Sequence, residues 1–295
     1  MTRANRNPGA RLAALSVLVA TVAAPSVADA QAWIRDPGGG YVQVSYRYLP
    51  SDSFFGADGN SVPSAEFEQH TVGLYGEIGV IERWLMFTLE SEIFRRNVLV
   101  DQGAVTGLGD TRISAWTGLV EVPFRLSFGA SLGIPTGDSR PDSDGGDILA
   151  QEVAAVLPTG DGEFDVTLQL AVGHGVRIGN ALDIFGQGVL GYAIRTEGFT
   201  DQIVFRAETG VRPVAEGFNR FLLVFRVFGA ELLGDAARTS GVAGLGDGVS
   251  YTAFGAELTG RVVDTFSLGF GVDSAFRATN ISAGFNYKFS ASYEF

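Results

Sequence analysis

The sequence predicts an all-β fold, a transmembrane antiparallel up-and-down barrel of about twelve strands, from three observations. Apolar residues alternate with small or polar ones in segment after segment, no run of eighteen apolar residues occurs beyond the first thirty, and the connections between segments alternate between short and long. Period-two alternation marks a strand with two unlike faces. A chain that must cross a bilayer without a long apolar helix can do so only with strands closed on themselves.

The first thirty residues read as an export signal, because Arg3, Arg6 and Arg11 precede the apolar run Leu12 to Ala24, and Ala28-Asp29-Ala30 supplies small residues before Gln31. Such a segment is removed on secretion. Residues 1–30 are therefore expected to be a signal peptide cleaved near Ala30, and residues 31–295 a single barrel domain in a bacterial outer membrane. Removing three arginines and Asp29 leaves 18 basic and 32 acidic side chains, so the net charge moves from -12 to -14. That balance excludes nucleic acid as a partner. With no cysteine in the chain, neither a disulfide framework nor a thiolate metal site is available.

Taken in order, the expected strands lie near 40–49, 66–79, 84–97, 110–121, 124–135, 163–175, 182–196, 202–213, 220–232, 249–261, 265–277 and 281–295. The alternation is plain in Phe124, Leu126, Phe128, Ala130, Leu132 and Ile134, and again in Phe164, Val166, Leu168, Leu170 and Val172. It returns in Phe266, Leu268, Phe270 and Val272, and runs longest from Ile281 to Phe295. An even strand number puts both chain ends on the periplasmic side and makes the turns there short. Ile81-Glu82-Arg83, Val122-Pro123, 177–181, 214–219 and 262–264 are short, whereas 50–65, 98–109, 136–162 and 234–248 are long and rich in Gly, Asp, Ser and Pro. The apolar stretch 147–157 is read as an excursion of the third outer loop toward the pore. Read as a strand, it would admit a fourteen-stranded barrel.

If the apolar positions face lipid, the opposite ones line the lumen. These are Arg47, Glu77, Glu90, Glu92, Arg96, Arg112, Arg125, Asp165, Gln169, Gln187, Arg195, Arg206, Glu208, Arg212, Arg226, Glu257, Asp273 and Lys288. An Arg or Lys facing lipid at mid-membrane costs about 2–4 kcal/mol, so one-sided charge placement itself supports this facing. The interior reads either as a hydrated pathway or as an ion-pair network that stiffens the barrel. Asp138, Asp142, Asp144 and Asp147 offer oxygen ligands in one loop, yet position twelve from Asp142 is Val153, so no EF-hand is present and a solvated loop is the better reading. His70 and His174 have no serine at a suitable spacing and no nucleophile-elbow motif, so no enzyme and no cofactor are expected.

Gly107-Leu108-Gly109-Asp110 and Gly244-Leu245-Gly246-Asp247 each lead into a strand, as turn chemistry requires. The first copy, continued by Thr111-Arg112, together with Gly133-Ile134-Pro135-Thr136-Gly137-Asp138 and Glu231-Leu232-Leu233-Gly234, resembles the outer-membrane family of meta-pathway phenol-degradation proteins. Its members show a Gly-x-Gly-Asp strand entry, a Leu-Pro-Thr-Gly-Asp strand exit and a later Glu-Leu-x-Gly. This chain departs from them in Ile134 and in a second Pro158-Thr159-Gly160-Asp161. The resemblance implies a barrel admitting small, often aromatic or hydrophobic, compounds. Tyr287, Tyr293 and the terminal Phe295 resemble the signature read by the barrel-assembly machinery. The expected role is therefore passive passage of a small-molecule solute through a lumen in contact with outer-membrane lipid only on its outside. The rival is a plugged structural or adhesion barrel whose acidic outer loops bind partners.

Overall fold

The computed structural model describes residues 31–140, 157–236 and 244–295. The expected signal peptide, Asp142, Asp144, Asp147 and all of 147–157 except Leu157 lie outside the described residues. The strands are β1 (Gly40–Phe55), β2 (Ser61–Ile81), β3 (Leu85–Leu99), β4 (Gly103–Gly107), β5 (Thr111–Val120), β6 (Arg125–Ile134) and β7 (Asp165–Ile178). They continue as β8 (Leu182–Arg195), β9 (Gln202–Pro213), β10 (Phe221–Leu232), β11 (Ser250–Val263), β12 (Phe266–Thr279), β13 (Ile281–Ser282) and β14 (Asn286–Glu294). Twelve of them form the wall, each antiparallel to its neighbours, and β1 closes the barrel by pairing with both β2 and β14. β4 pairs only with β3, and β13 only with β1. No helix among the described residues is long and apolar enough to cross a membrane.

Closure brings the chain ends of the wall together. The Gly40 N–H donates to the Phe295 carbonyl (2.9 Å) and the Phe295 N–H to Gly40 (3.0 Å). Any Cβ at position 40 would enter the Phe295 ring, which explains the glycine there. Both ends therefore sit on one rim, the periplasmic rim in barrels of this kind. The two faces of the wall differ as the alternation demands: Val44, Leu168, Leu170, Val172, Phe270 and Phe289 are exposed, while Ser127, Ser131, Thr167 and Gln187 are buried. A continuous apolar exterior over a polar interior is the inverse of a soluble protein and suits a lipid surround.

Four expectations are corrected. The first outer loop, expected over 50–65, is mostly strand, because the β1–β2 ladder runs on to Phe55↔Ser61 and leaves only 56–60 as the turn. Pro63 is tolerated in that ladder because β2 pairs with β3 only from Phe67 inward, so the proline's missing N–H faces a free edge. The second outer loop, expected over 98–109, folds back as β4. The closing strand, expected to be unbroken over 281–295, leaves the ladder at 283–285 beside a register irregularity at Ser51/Ser53, where the Ser51 hydroxyl donates to the Ala283 carbonyl (2.6 Å). Finally, β3 carries a bulge: Glu92 pairs with Gly73 and Phe94 with Val72, leaving Ile93 extra. An extra residue reverses the alternation beyond it.

Candidate functional site

The bulge at Ile93 decides which arginine of β3 enters the lumen. Glu90 and Glu92 point inward before it, and Arg95, Asn97 and Leu99 after it, with Asn97 fully buried. Arg96, expected inside, instead turns to the outer face and donates to the Thr106 hydroxyl of β4 at 3.1 Å. The other predicted lumen positions keep the inward phase of their strands.

Most of those charges are joined along the inner wall, within a strand or to one of the next two strands. Arg47 and Arg95 (3.1 Å) share Glu92, and Arg112 meets Asp165 at 3.2 Å. Glu257 takes both Arg226 and Lys288 (3.3 Å), Gln187 donates to Glu208, and the Asn286 amide donates to Asp273 at 3.1 Å. Arg125 stays near the rim that holds the chain ends, paired with Glu121 at 3.4 Å, and Arg212 faces Asp183 across β8–β9. Charges of both signs satisfied by one another are what a partly desolvated interior requires.

Space remains between them. A central cavity, ≈ 1100 Å³ when counted with the solvent it opens onto, is lined by Glu90, Arg112, Asp165, Arg195 and Arg206, with Gln169, Gln202, Tyr75, Tyr251 and Phe228. Tyr251 and Phe228, edge to face at 6.2 Å, also border a side cavity of ≈ 570 Å³ beside Arg47 and Asp273. Nearer the chain ends lies a third and much narrower cavity, lined by Glu208, Leu222, Val224, Arg226, Glu257 and Arg261. Along β10 and β11, Arg226 and Glu257 fall between this cavity and the Phe228–Tyr251 pair, so the Arg226–Glu257–Lys288 cluster marks the level between the two chambers.

Two parts of this interior escape a strand-by-strand reading. The first is the segment 31–39 ahead of β1. Ala32 is buried, and Ala32, Trp33 and Ile34 pack on Met86, Trp116, Ala171 and Val189 of the inner wall. Trp33 also stands edge-on to Phe185 at 6.2 Å and packs on Leu222 and Val224. Arg35 reaches both Glu77 and Glu294 (3.0 Å), and the Ser127 hydroxyl donates to the Gln31 carbonyl at 2.6 Å. The signal for this was the pair Trp33-Ile34 followed by Pro37-Gly38-Gly39, apolar bulk on a short leash before the first strand.

The second is 157–163 at the outer mouth. Leu157 is buried against Phe67, Leu99 and Val105, and the Asn97 amide donates to the Pro158 carbonyl at 2.7 Å. Asp110, of the first Gly-Leu-Gly-Asp copy, accepts the N–H groups of Gly137 (3.0 Å) and Asp161 (2.8 Å), and Asp161 in turn accepts that of Gly246. Asp247, of the second copy, accepts from Thr200 N–H at 3.0 Å. The repeated motif thus ties outer loops together as well as entering strands. Glu163, buried between Arg195 and the cavity, has its carboxyl pushed up to about 7 by desolvation; Arg195 opposes this, while Asp161 and Asp165 add to it.

The remaining candidates lie apart from the lumen. His70 stacks on Tyr48 (5.0 Å) and shares a hydrogen bond with the Tyr46 hydroxyl (2.7 Å), and His174 is exposed on β7. Asp138 accepts the Arg140 N–H at 2.8 Å, and among the described residues no group of three or more His, Cys, Asp or Glu could hold a metal ion.

No protein-family model matches the sequence, the one suggested by the phenol-degradation motifs included, and no curated protein matches it significantly. Among solved structures, the β domain of the Bordetella autotransporter BrkA is 10% identical over 88% of this chain and 100% of its own, with a TM-score of 0.49. The NanC porin is 9% identical over 87% of this chain and 100% of its own, also at 0.49. The COG4313 outer membrane channel from Pseudomonas putida F1 is 17% identical over 92% of this chain and 100% of its own, with a TM-score of 0.59. At that identity the likeness is one of fold: this chain is a closed twelve-stranded barrel of the outer-membrane type.

Proposed function

We propose that the protein is a channel of the bacterial outer membrane that passes small molecules, exported through a signal removed near Ala30. The observation that carries this reading is the central cavity, a hollow lined by charged, polar and aromatic side chains inside a wall whose exterior is apolar. About eight strands are enough for interior side chains to fill a barrel, and twelve enclose more. Here small inward residues such as Ser114, Thr88 and Ala230 keep the extra space open. Solutes that combine an apolar ring with polar substituents fit the lining, in which Tyr75, Tyr251 and Phe228 sit among arginines and carboxylates. The fold-level likeness to an outer membrane channel and the turn motifs described above support the same reading.

Uptake of small sugars and phenolic glycosides into proteoliposomes tests it. Swelling that is rapid for small solutes and lost above a size cut-off is the expected outcome. Vesicles that stay osmotically tight to every solute, with the barrel folded, would contradict it. The plugged, partner-binding reading has one observation in its favour: 31–39 and 157–163 occupy opposite ends of the lumen. Tight vesicles together with partner binding that disappears when the outer loops are trimmed would select that reading.

A further inference from the structure

The geometry points to a solute site beneath the N-terminal segment: residues 31–36 are a tethered plug, and the seat of Trp33 binds a planar, uncharged aromatic ring when the plug is out. This rests on the channel reading above.

The seat is built for a flat ring. Phe185 meets the Trp33 indole edge-on, Leu222 and Val224 pack around it, and Met86, Trp116, Ala171 and Val189 continue the apolar surface. On the remaining side stands Gly173, where a Cβ would lie 2.5 Å from Trp33 Cη2, so any side chain there would fill the space the ring occupies. Within a lumen lined mainly by hydroxyls, amides and charges, apolar side chains converge here. The seat also joins two chambers: Leu222 and Val224 line the cavity near the chain ends, while Val189 and Gln31 line the central one. A solute moving between these two cavities passes beside the position Trp33 holds.

The hold on the plug is reversible in kind. It consists of the Arg35 ion pairs with Glu77 and Glu294 and the Ser127 bond to Gln31. The bridge from Pro37 to Gly79 and the bonds from Gly38 N–H to Gly79 (2.9 Å) and from Gly79 N–H to Gly39 (3.0 Å) anchor the base of the segment. The nine described residues ahead of β1, 31–39, reach about 30 Å when extended. Gly38 already occupies a left-handed conformation (φ 79°), next to Gly39, so the segment can swing clear without unravelling β1.

The chain has no cysteine, so introduced thiols report on this segment alone. In A32C/G173C the two Cβ atoms start 2.8 Å apart, below the ~3.5–4.5 Å of a disulfide, and the Cβ at 173 also displaces the Trp33 ring. This variant therefore tests the tether and not the seat, and is compared only with itself, oxidised against reduced. In planar bilayers, the oxidised protein is expected to lose its conductance and regain it on reduction. A second readout is the labelling rate of A32C by a membrane-impermeant maleimide. Indole should raise that rate several-fold and saturably, ribose should leave it unchanged, and W33A/A32C should label fast with either. Equal conductance of bridged and reduced protein, or labelling indifferent to indole, overturns the proposal while leaving the channel intact. If the bridged variant does not fold, W33A alone decides, since a plug requires it to conduct more than the parent and unchanged conductance overturns the inference. Silence of the parent, the reduced protein and W33A alike removes the channel reading along with the plug.

Discussion

Glu163 is held by Arg195 yet titrates near neutrality, because the cost of burying its charge outweighs the attraction of a single guanidinium that it shares with Asp161. A carboxyl raised from 4.5 to about 7 binds its proton more tightly folded than unfolded. Its contribution to stability is therefore present at low pH and is lost as pH rises between those values. In the cavity the same titration removes one negative charge on acidification. The reversal potential across a salt gradient should thus shift toward cation preference as pH rises from 6 to 8, and E163Q should abolish the shift. A different behaviour is expected of Glu257, which Arg226 and Lys288 both contact. Glu257→Gln leaves two cations facing each other, and should cost about 3 kcal/mol in urea unfolding from micelles, the low end for a broken buried pair because the lumen is hydrated.

Strands are where sequence and structure agree best, because lipid outside and water inside impose the alternation on every residue of the wall. Leu168→Arg, on the exposed face of β7, should cost about 2–4 kcal/mol in folding into bilayers, whereas the same change at the inward neighbour Gln169 should cost far less. Deleting Phe295 removes the ring over Gly40 and both reciprocal bonds that join β1 to the chain end, so the yield of heat-modifiable barrel should fall. Where local pattern is blind, the reading fails. Ile93-Phe94 looks like any two apolar residues, and only the partner strand shows that one of them is extra, which is why Arg96 rather than Arg95 was expected inside. Residues 50–65 have loop composition yet keep pairing, because a ladder beyond the membrane needs no apolar face. Residues 31–39 are too short for periodicity, and their role exists only once a wall surrounds them.

At the scale of the whole molecule, an acidic chain wraps an interior in which arginines and carboxylates neutralise one another, while small residues leave room between the pairs. The aspartates of the two Gly-Leu-Gly-Asp copies fasten the outer mouth, and the Arg35 pairs fasten the inner end. A lumen fastened at both ends but hollow between them suits controlled passage better than mere rigidity. Recording of the folded protein in planar bilayers tests that claim most directly. Discrete conductance steps that disappear when A32C/G173C is bridged are the predicted result, and a bilayer that stays silent at all potentials with correctly folded parent protein would contradict it.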